Sequence, residues 1–260
     1  MSGANFWKLV GQQMASSDME SKHKRIPYLQ STTIGPSSPL VIMNIDRDGP
    51  YSLLNCREMH LEFGLTLTST DLGICVDQSI VHPFQRIRIL CGSAELLNID
   101  NSHLLAQLLF HTTHKSNESG FANEMIGNGN LVTRQAYGDF KKNYVIPVFP
   151  EGTILNRHGL LNINAMNPIT IEFTMLPAAA FLYSPANHLA ATYTMSEVEL
   201  HASYISSPSI MNFFKQNNPS FSCQDYSHRL NYIQACEPDS NRQCVHVIEW
   251  VFDRDARQHN

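Results

Sequence analysis

Asn167-Pro168-Ile169-Thr170-Ile171-Glu172-Phe173-Thr174-Met175-Leu176-Pro177 is the stretch whose reading decides the fold. Ile169, Ile171, Phe173 and Met175 alternate with Thr170, Glu172 and Thr174. That period of two belongs to a strand with one face buried and the other wet. Pro168 opens the run and Pro177 closes it, because proline cannot donate into a strand ladder. After a connection over 178–191, Tyr193 and Met195 begin a second alternation, which Val198, Leu200, Ala202 and Tyr204 continue. The parity changes between Met195 and Val198, so a β-bulge is expected at 196–197. Two long amphipathic strands joined in this way point to a sandwich and an all-β chain.

Composition sets the outer limits. The chain has 260 residues, which suits one large β-sandwich or two small domains. A hydrophobic content of 43% with 16% charged residues is that of a globular core and too apolar for disorder. No run approaches the ~18 consecutive apolar residues of a membrane-spanning helix. Residues 6–10 are apolar but lack the longer h-region and cleavage site of a secretory signal, so none is expected. The net charge is −5, whereas a genome-coating protein carries a basic arm or patch. The one basic cluster, Lys22-His23-Lys24-Arg25, reads as a solvated turn ahead of the first strand. Six cysteines (Cys56, Cys75, Cys91, Cys223, Cys236 and Cys244) form no C-x-x-C pair and are expected as reduced, mostly buried thiols. Asn117-Glu118-Ser119 fits a glycosylation sequon, which matters only in a secreted protein.

Outward from the central strands, residues 1–38 read as a short helix-like start followed by a polar arm. The first strand is expected at 40–45, with a turn at Asp46-Arg47-Asp48-Gly49-Pro50. Met59, Leu61, Phe63, Leu65 and Leu67 give a clean alternation, 73–76 a short strand, and 84–91 a strand with Ile87 and Ile89 inward and Arg86 and Arg88 outward. One helix starts at Asn101, a good N-cap type, with Leu104, Leu105, Leu108 and Leu109 on one face. A long Gly- and Asn-rich loop over 116–130 follows, then a strand at 144–149. This makes about eight antiparallel strands between 40 and 205, with one helix in a long connection, as a jelly-roll β-sandwich requires. Ser206-Ser207-Pro208 reads as a linker, and 227–234 and 244–252 as two further strands. The expected division is an N-terminal arm (1–38), a jelly roll (39–205), and a C-terminal extension or the opening strands of a second jelly roll (206–260).

The order of these features resembles a known family. Phe84-Gln85-Arg86-Ile87-Arg88-Ile89 with Gly92-Ser93, the leucine-rich helix, the Gly/Asn-rich loop, Ile146-Pro147-Val148-Phe149-Pro150, the 167–173 strand and the 193–204 strand carry the resemblance. Together they are similar to the N-terminal jelly roll of the double-jelly-roll major capsid proteins of tailless icosahedral DNA viruses. The resemblance covers 40–205, with 227–252 like the opening of a second jelly roll. It implies a virion shell protein made in the host cytoplasm or nucleus. Homotrimeric capsomers would meet neighbouring capsomers and minor capsid proteins near an inner membrane, without direct contact to nucleic acid. This chain departs from the family in lacking a complete second jelly roll. A single-jelly-roll vertex protein, which would form pentamers, is therefore the alternative.

Jelly rolls also serve as enzymes and binding modules. His60-Leu61-Glu62 sets two potential ligands on one strand face, the arrangement of non-heme iron oxygenases, with His158 or His201 as a distant third. Solvent exposure on an amphipathic strand accounts for both without a metal. His111 and His114 stand at i, i+3 near a helix end, where they complement its negative terminus. Phe213, Phe214 and Tyr226 suit a lectin-like surface, but core or interface packing is the preferred use. There is no G-x-S-x-G, phosphate-binding glycine loop or H-E-x-x-H. No catalytic, cofactor-binding or metal-binding residue is assigned, no cofactor is expected, and the protein is read as a non-enzyme.

Overall fold

The computed structural model describes residues 20–29, 34–69, 74–77, 81–113, 142–147, 149, 153–156, 160–183, 191–217, 227–229 and 249–251. The strands are β1 (Glu20–Pro27), β2 (Leu40–Ile45), β3 (Ser52–Thr68), β4 (Cys75–Val76), β5 (Phe84–Cys91), β6 (Ala94–Asp100), β7 (Lys142–Ile146), β8 (Leu160–Leu161), β9 (Ile169–Met175), β10 (Leu182–Tyr183), β11 (Thr192–Ser206), β12 (Ser227–Arg229) and β13 (Glu249–Val251). Among the described residues, three α-helices interrupt them: α1 (Ser102–Thr113), α2 (Ala178–Phe181) and α3 (Pro208–Asn217).

Among the described residues, every strand pairing is antiparallel. One sheet runs β1-β11-β3-β7, with β8 also on β3, and the second runs β2-β9-β5-β6. β1, β3, β7, β8 and β11 lie in the first sheet and β2, β5, β6 and β9 in the second, β4 and β10 pair apart from both, and residues of the two sheets join a single hydrophobic core. Leu61, Phe63, Tyr193 and Leu200 come from one side, and Met43, Ile87, Ile89, Ile171 and Phe173 from the other. Phe84 and Phe173 meet with ring centroids 4.6 Å apart, and Phe181 and Tyr193 at 4.7 Å. Buried aromatics of this size supply much of the apolar area removed from water. Burial pushes the Tyr193 hydroxyl pKa upward, and that hydroxyl donates to the Leu176 carbonyl at 2.6 Å.

The all-β antiparallel reading holds. β9 alternates buried and half-buried residues along its whole length. The expected bulge is present, since the β11–β3 register shifts between Ser196 and Glu199 and Glu197 adopts φ 53°. A second shift, between His201 and Ser203, has no counterpart in the sequence reading.

Other expectations are corrected. Lys22–Arg25 does not form a turn: it lies in edge strand β1, whose charged side chains blunt a free sheet edge and so look like a loop in sequence. Ile26 and Ile34, inside the expected arm, are buried in the core. β6 was not expected; Gly92 at φ 60° turns the chain from β5 directly into it, and Leu97 and Ile99 point inward. A Cβ at Gly92 would also stand 3.1 Å from the Asn167 side chain. Helix α1 begins as expected, anchored by the Ser102 hydroxyl donating to the Phe84 carbonyl at 2.7 Å. Its inward face is narrower than expected, with Leu105 buried and Leu108 partly exposed. Ser206-Ser207-Pro208 is not a linker: Ser206 ends β11, and the Ser207 hydroxyl accepts from the Ile210 amide to start α3. Pairing of β12 with β13 agrees with two C-terminal strands. The 116–130 loop and the helix-like start at 5–15 lie outside the described residues.

Candidate functional site

The most unusual side-chain cluster lies on the face of the first sheet turned away from the core. Directly opposed residues of an antiparallel pair share a face. Arg25 of β1 stands opposite His201 of β11, and His23 opposite Ser203. Across β11, His201 faces His60 of β3, and Glu199 faces Glu62. Three adjacent strands therefore bring His23, His60 and His201 together.

The geometry is close. His60 and His201 stack with centroids 4.7 Å apart and an interplanar angle of 17°. His23 lies 5.3 Å from His201 and 6.4 Å from His60. His23 Nε2 and His201 Nδ1 are 3.0 Å apart, so one ring donates to the other, and His23 Nδ1 lies 3.2 Å from the Ser203 hydroxyl. Glu62 Oε2 is 3.1 Å from His201 Nε2 but out of line for a hydrogen bond, leaving that nitrogen enclosed without one. Arg25 pairs with Glu199 at 3.6 Å, and Glu199 also stands 3.9 Å from His201 Nε2. Desolvation, with the neighbouring His60 next in weight, lowers the His201 pKa below the ordinary imidazole value despite the opposing pull of Glu62.

An apolar cap adjoins this cluster. Ile210 and Met211 of α3 cover Leu53, Leu160 and Ile205 in a second small core. The opposite sheet presents fixed charges instead. Arg88 Nε donates to Glu95 Oε2 at 2.9 Å and its Nη1 to Glu172 Oε2 at 2.8 Å, while Arg86 reaches Asn98 and Asp100. The Glu95 hydrogen bond is the main reason the Arg88 pKa is raised.

The structure thus brings His60, Glu62 and His201 together, as the sequence allowed, and adds His23, which the sequence reading left in a turn. Only the register of β1 on β11 reveals that neighbour; the Lys-His-Lys-Arg run gives no sign of it. Among the described residues, no group of three or more His, Cys, Asp or Glu is arranged to hold a metal ion. His114, His158, Tyr226, Asn117, Cys223, Cys236 and Cys244 lie outside the described residues, as do the side chains of His111, Phe213 and Phe214. Cys56 and Cys75 are buried, and Cys91 is half-buried. No helix among the described residues is long and apolar enough to cross a membrane.

No protein-family model matches the sequence, and no curated protein matches it. Solved structures do match. A chain of the PBCV-1 virus capsid is 13% identical at a TM-score of 0.53, covering 82% of this chain and 49% of that one. PBCV-1 VP54, fitted into a reconstruction of the virophage Sputnik, matches at 13% identity and a TM-score of 0.50 over the same shares. A chain of the Sputnik virophage structure is 8% identical at a TM-score of 0.51, covering 83% of this chain and 53% of that one. The chain spans about half the length of these solved chains. At such identities the likeness is one of fold, and this chain has the fold of viral capsid proteins, as its sequence resemblance implies.

Proposed function

We propose that this protein is a jelly-roll capsid subunit whose work is self-association rather than catalysis. The observation that carries the reading is the match of 82% of the chain to a PBCV-1 capsid chain at a TM-score of 0.53. Within 39–205, β11-β3-β7 with β8 in one sheet and β2-β9-β5-β6 in the other, around a common core, support an eight-stranded jelly-roll sandwich. In this reading 39–205 is the jelly roll with β1 added to its edge, and 206–260 is an extension or the opening of a second one. Its partners are further copies of itself in a homotrimeric capsomer, then neighbouring capsomers and minor capsid proteins of the virion. The net charge of −5 suits a shell protein that does not contact nucleic acid. Burial of apolar patches and covering of sheet edges between subunits would drive assembly.

Native mass by light scattering, with metal content read on the same sample, tests the proposal. Trimers or closed particles without metal support it. Pentamers would transfer the protein to the vertex of a shell. A monomer carrying stoichiometric iron or zinc would overturn the structural role and return attention to His60, Glu62 and His201.

A further inference from the structure

We propose that the outer edge of β6 is the docking edge for the hairpin of β12 and β13, which closes that edge against strand addition. The inference goes beyond the capsid reading, and it holds whether 206–260 is an extension or the opening of a second jelly roll. An exposed strand edge offers unpaired amides and carbonyls to any passing strand, so folded proteins charge it, shorten it or cover it. The two large sheets end in four such edges, β1 and β7 in the first and β2 and β6 in the second. Three of them carry one of these devices. β1 bears Lys22, Lys24 and Arg25. β7 has five residues and opens on Lys142. β2 is partly covered, because the Leu29 amide donates to the Ile42 carbonyl at 2.9 Å.

Among the described residues of the large sheets, β6 is the edge left without such a device. It is seven residues long, and Leu96, Leu97, Asn98 and Ile99 at its centre are uncharged. Its two carboxylates are drawn back over β5, Glu95 to Arg88 at 2.9 Å and Asp100 to Arg86 at 3.2 Å. Leu97 and Ile99 are buried, while Leu96 is 36% exposed. The hairpin supplies the cover, since Cα atoms of β12 come within 8 Å of β6. A hairpin of two three-residue strands is marginal in water and needs a further strand or a packed face to persist. An undefended edge and a hairpin beside it thus stabilise each other. Pairing of β12 on β6 extends the second sheet to β2-β9-β5-β6-β12-β13. The new edge is then β13, which at three residues is too short to be a good template.

Hydrogen–deuterium exchange on the full chain at neutral pH tests the docking. In the wild type, the peptides covering β6 and β12 should both be protected. His228→Pro removes an amide from the middle of β12 and should lower β6 protection at least about tenfold while β9 keeps its own. Leu96→Lys charges the edge from the other side and should lower β12 protection by a similar factor, again without change in β9. Should His228→Pro unfold the chain, Leu96→Lys, at an exposed position, decides alone. A wild-type β12 that exchanges at its intrinsic rate would overturn the docking, as would protection unaltered by the substitutions. Protection of β6 that rises with protein concentration would also overturn it, by giving the edge to a second copy.

Discussion

β9 and β11 occupy equivalent inner positions, one between β2 and β5, the other between β1 and β3, yet their two faces are treated differently. β9 keeps strict alternation, with Ile169, Ile171, Phe173 and Met175 buried and Thr170, Glu172 and Thr174 half-exposed. β11 alternates through its first register shift as far as Leu200; from Leu200 to Ile205 every residue is buried. Its core face is covered by the opposite sheet. Its outer face is covered by the histidine cluster and, beyond it, by α3 through Ile210 and Met211. One sheet thus wears fixed, water-facing charges, and the other carries a second, partly dry layer containing titratable groups. A dry outer layer makes β11 depend on an element that follows it in the chain, whereas β9 needs nothing on its outer side.

The largest expected effect breaks that dependence. Met211 is 1% exposed and fills the small core beneath α3, so Met211→Ala should cost about 2–3 kcal/mol, the lower part of the range for large-to-small core changes. Urea denaturation with an unchanged slope measures it. A loss under about 0.5 kcal/mol, the scale of a surface substitution, would mean that α3 merely rests on the sheet.

A smaller effect, this one from a buried imidazole, is expected at the end of the other sheet. His82 precedes β5, packs edge-on against Phe84 at 5.5 Å, and has its pKa lowered from 6.5 to about 3, first by burial and then by His103. His103 itself is lowered to about 4 by burial. For a base with a depressed folded-state pKa, the unfolded chain takes up the proton first. Stability is therefore full above pH 6.5 and falls as the pH drops toward about 3. By pH 5 the loss from His82 should be about 2 kcal/mol. Comparing urea midpoints at neutral and acid pH checks this, and His82→Leu should remove that share of the difference. An acid loss unchanged in His82→Leu would assign it to other groups, with His103 and His201 next in line.

The same contrast explains what could be read from the sequence. Wherever one face meets the core and the other meets water, as in β9 and β5, alternation reveals the strand and its inward residues directly. The 196–197 bulge was legible for the same reason, because an extra residue shifts the parity of the pattern. β1 was missed since an exposed edge strand with one buried residue has almost no apolar period; its lysines and arginine blunt the edge and read as a turn. The end of β11 looked like an ordinary strand because its second cover comes from α3, which begins at a Ser-Ser-Pro run that also suits a linker. The histidine cluster was half legible. His60 and Glu62 share a strand face by spacing alone, but His23 and His201 are 178 residues apart and meet only through strand register.

The smallest expected effect is on the wet face of the second sheet. Glu172 lies 2.8 Å from Arg88, an arrangement that looks like a strong pair. Arg88 keeps Glu95 at 2.9 Å when Glu172 is neutralised, and both partners of the Arg88–Glu172 pair reach solvent. Exposed ion pairs gain little over hydration, and salt screens what they gain. Glu172→Gln should therefore leave the urea midpoint within experimental scatter, and raising the salt to roughly 1 M, where the Debye length is about 3 Å, should affect variant and wild type alike. A clear destabilisation that disappears at high salt would show that this face also contributes through its charges, and the distinction between the two sheets would then lie in chemistry and no longer in burial.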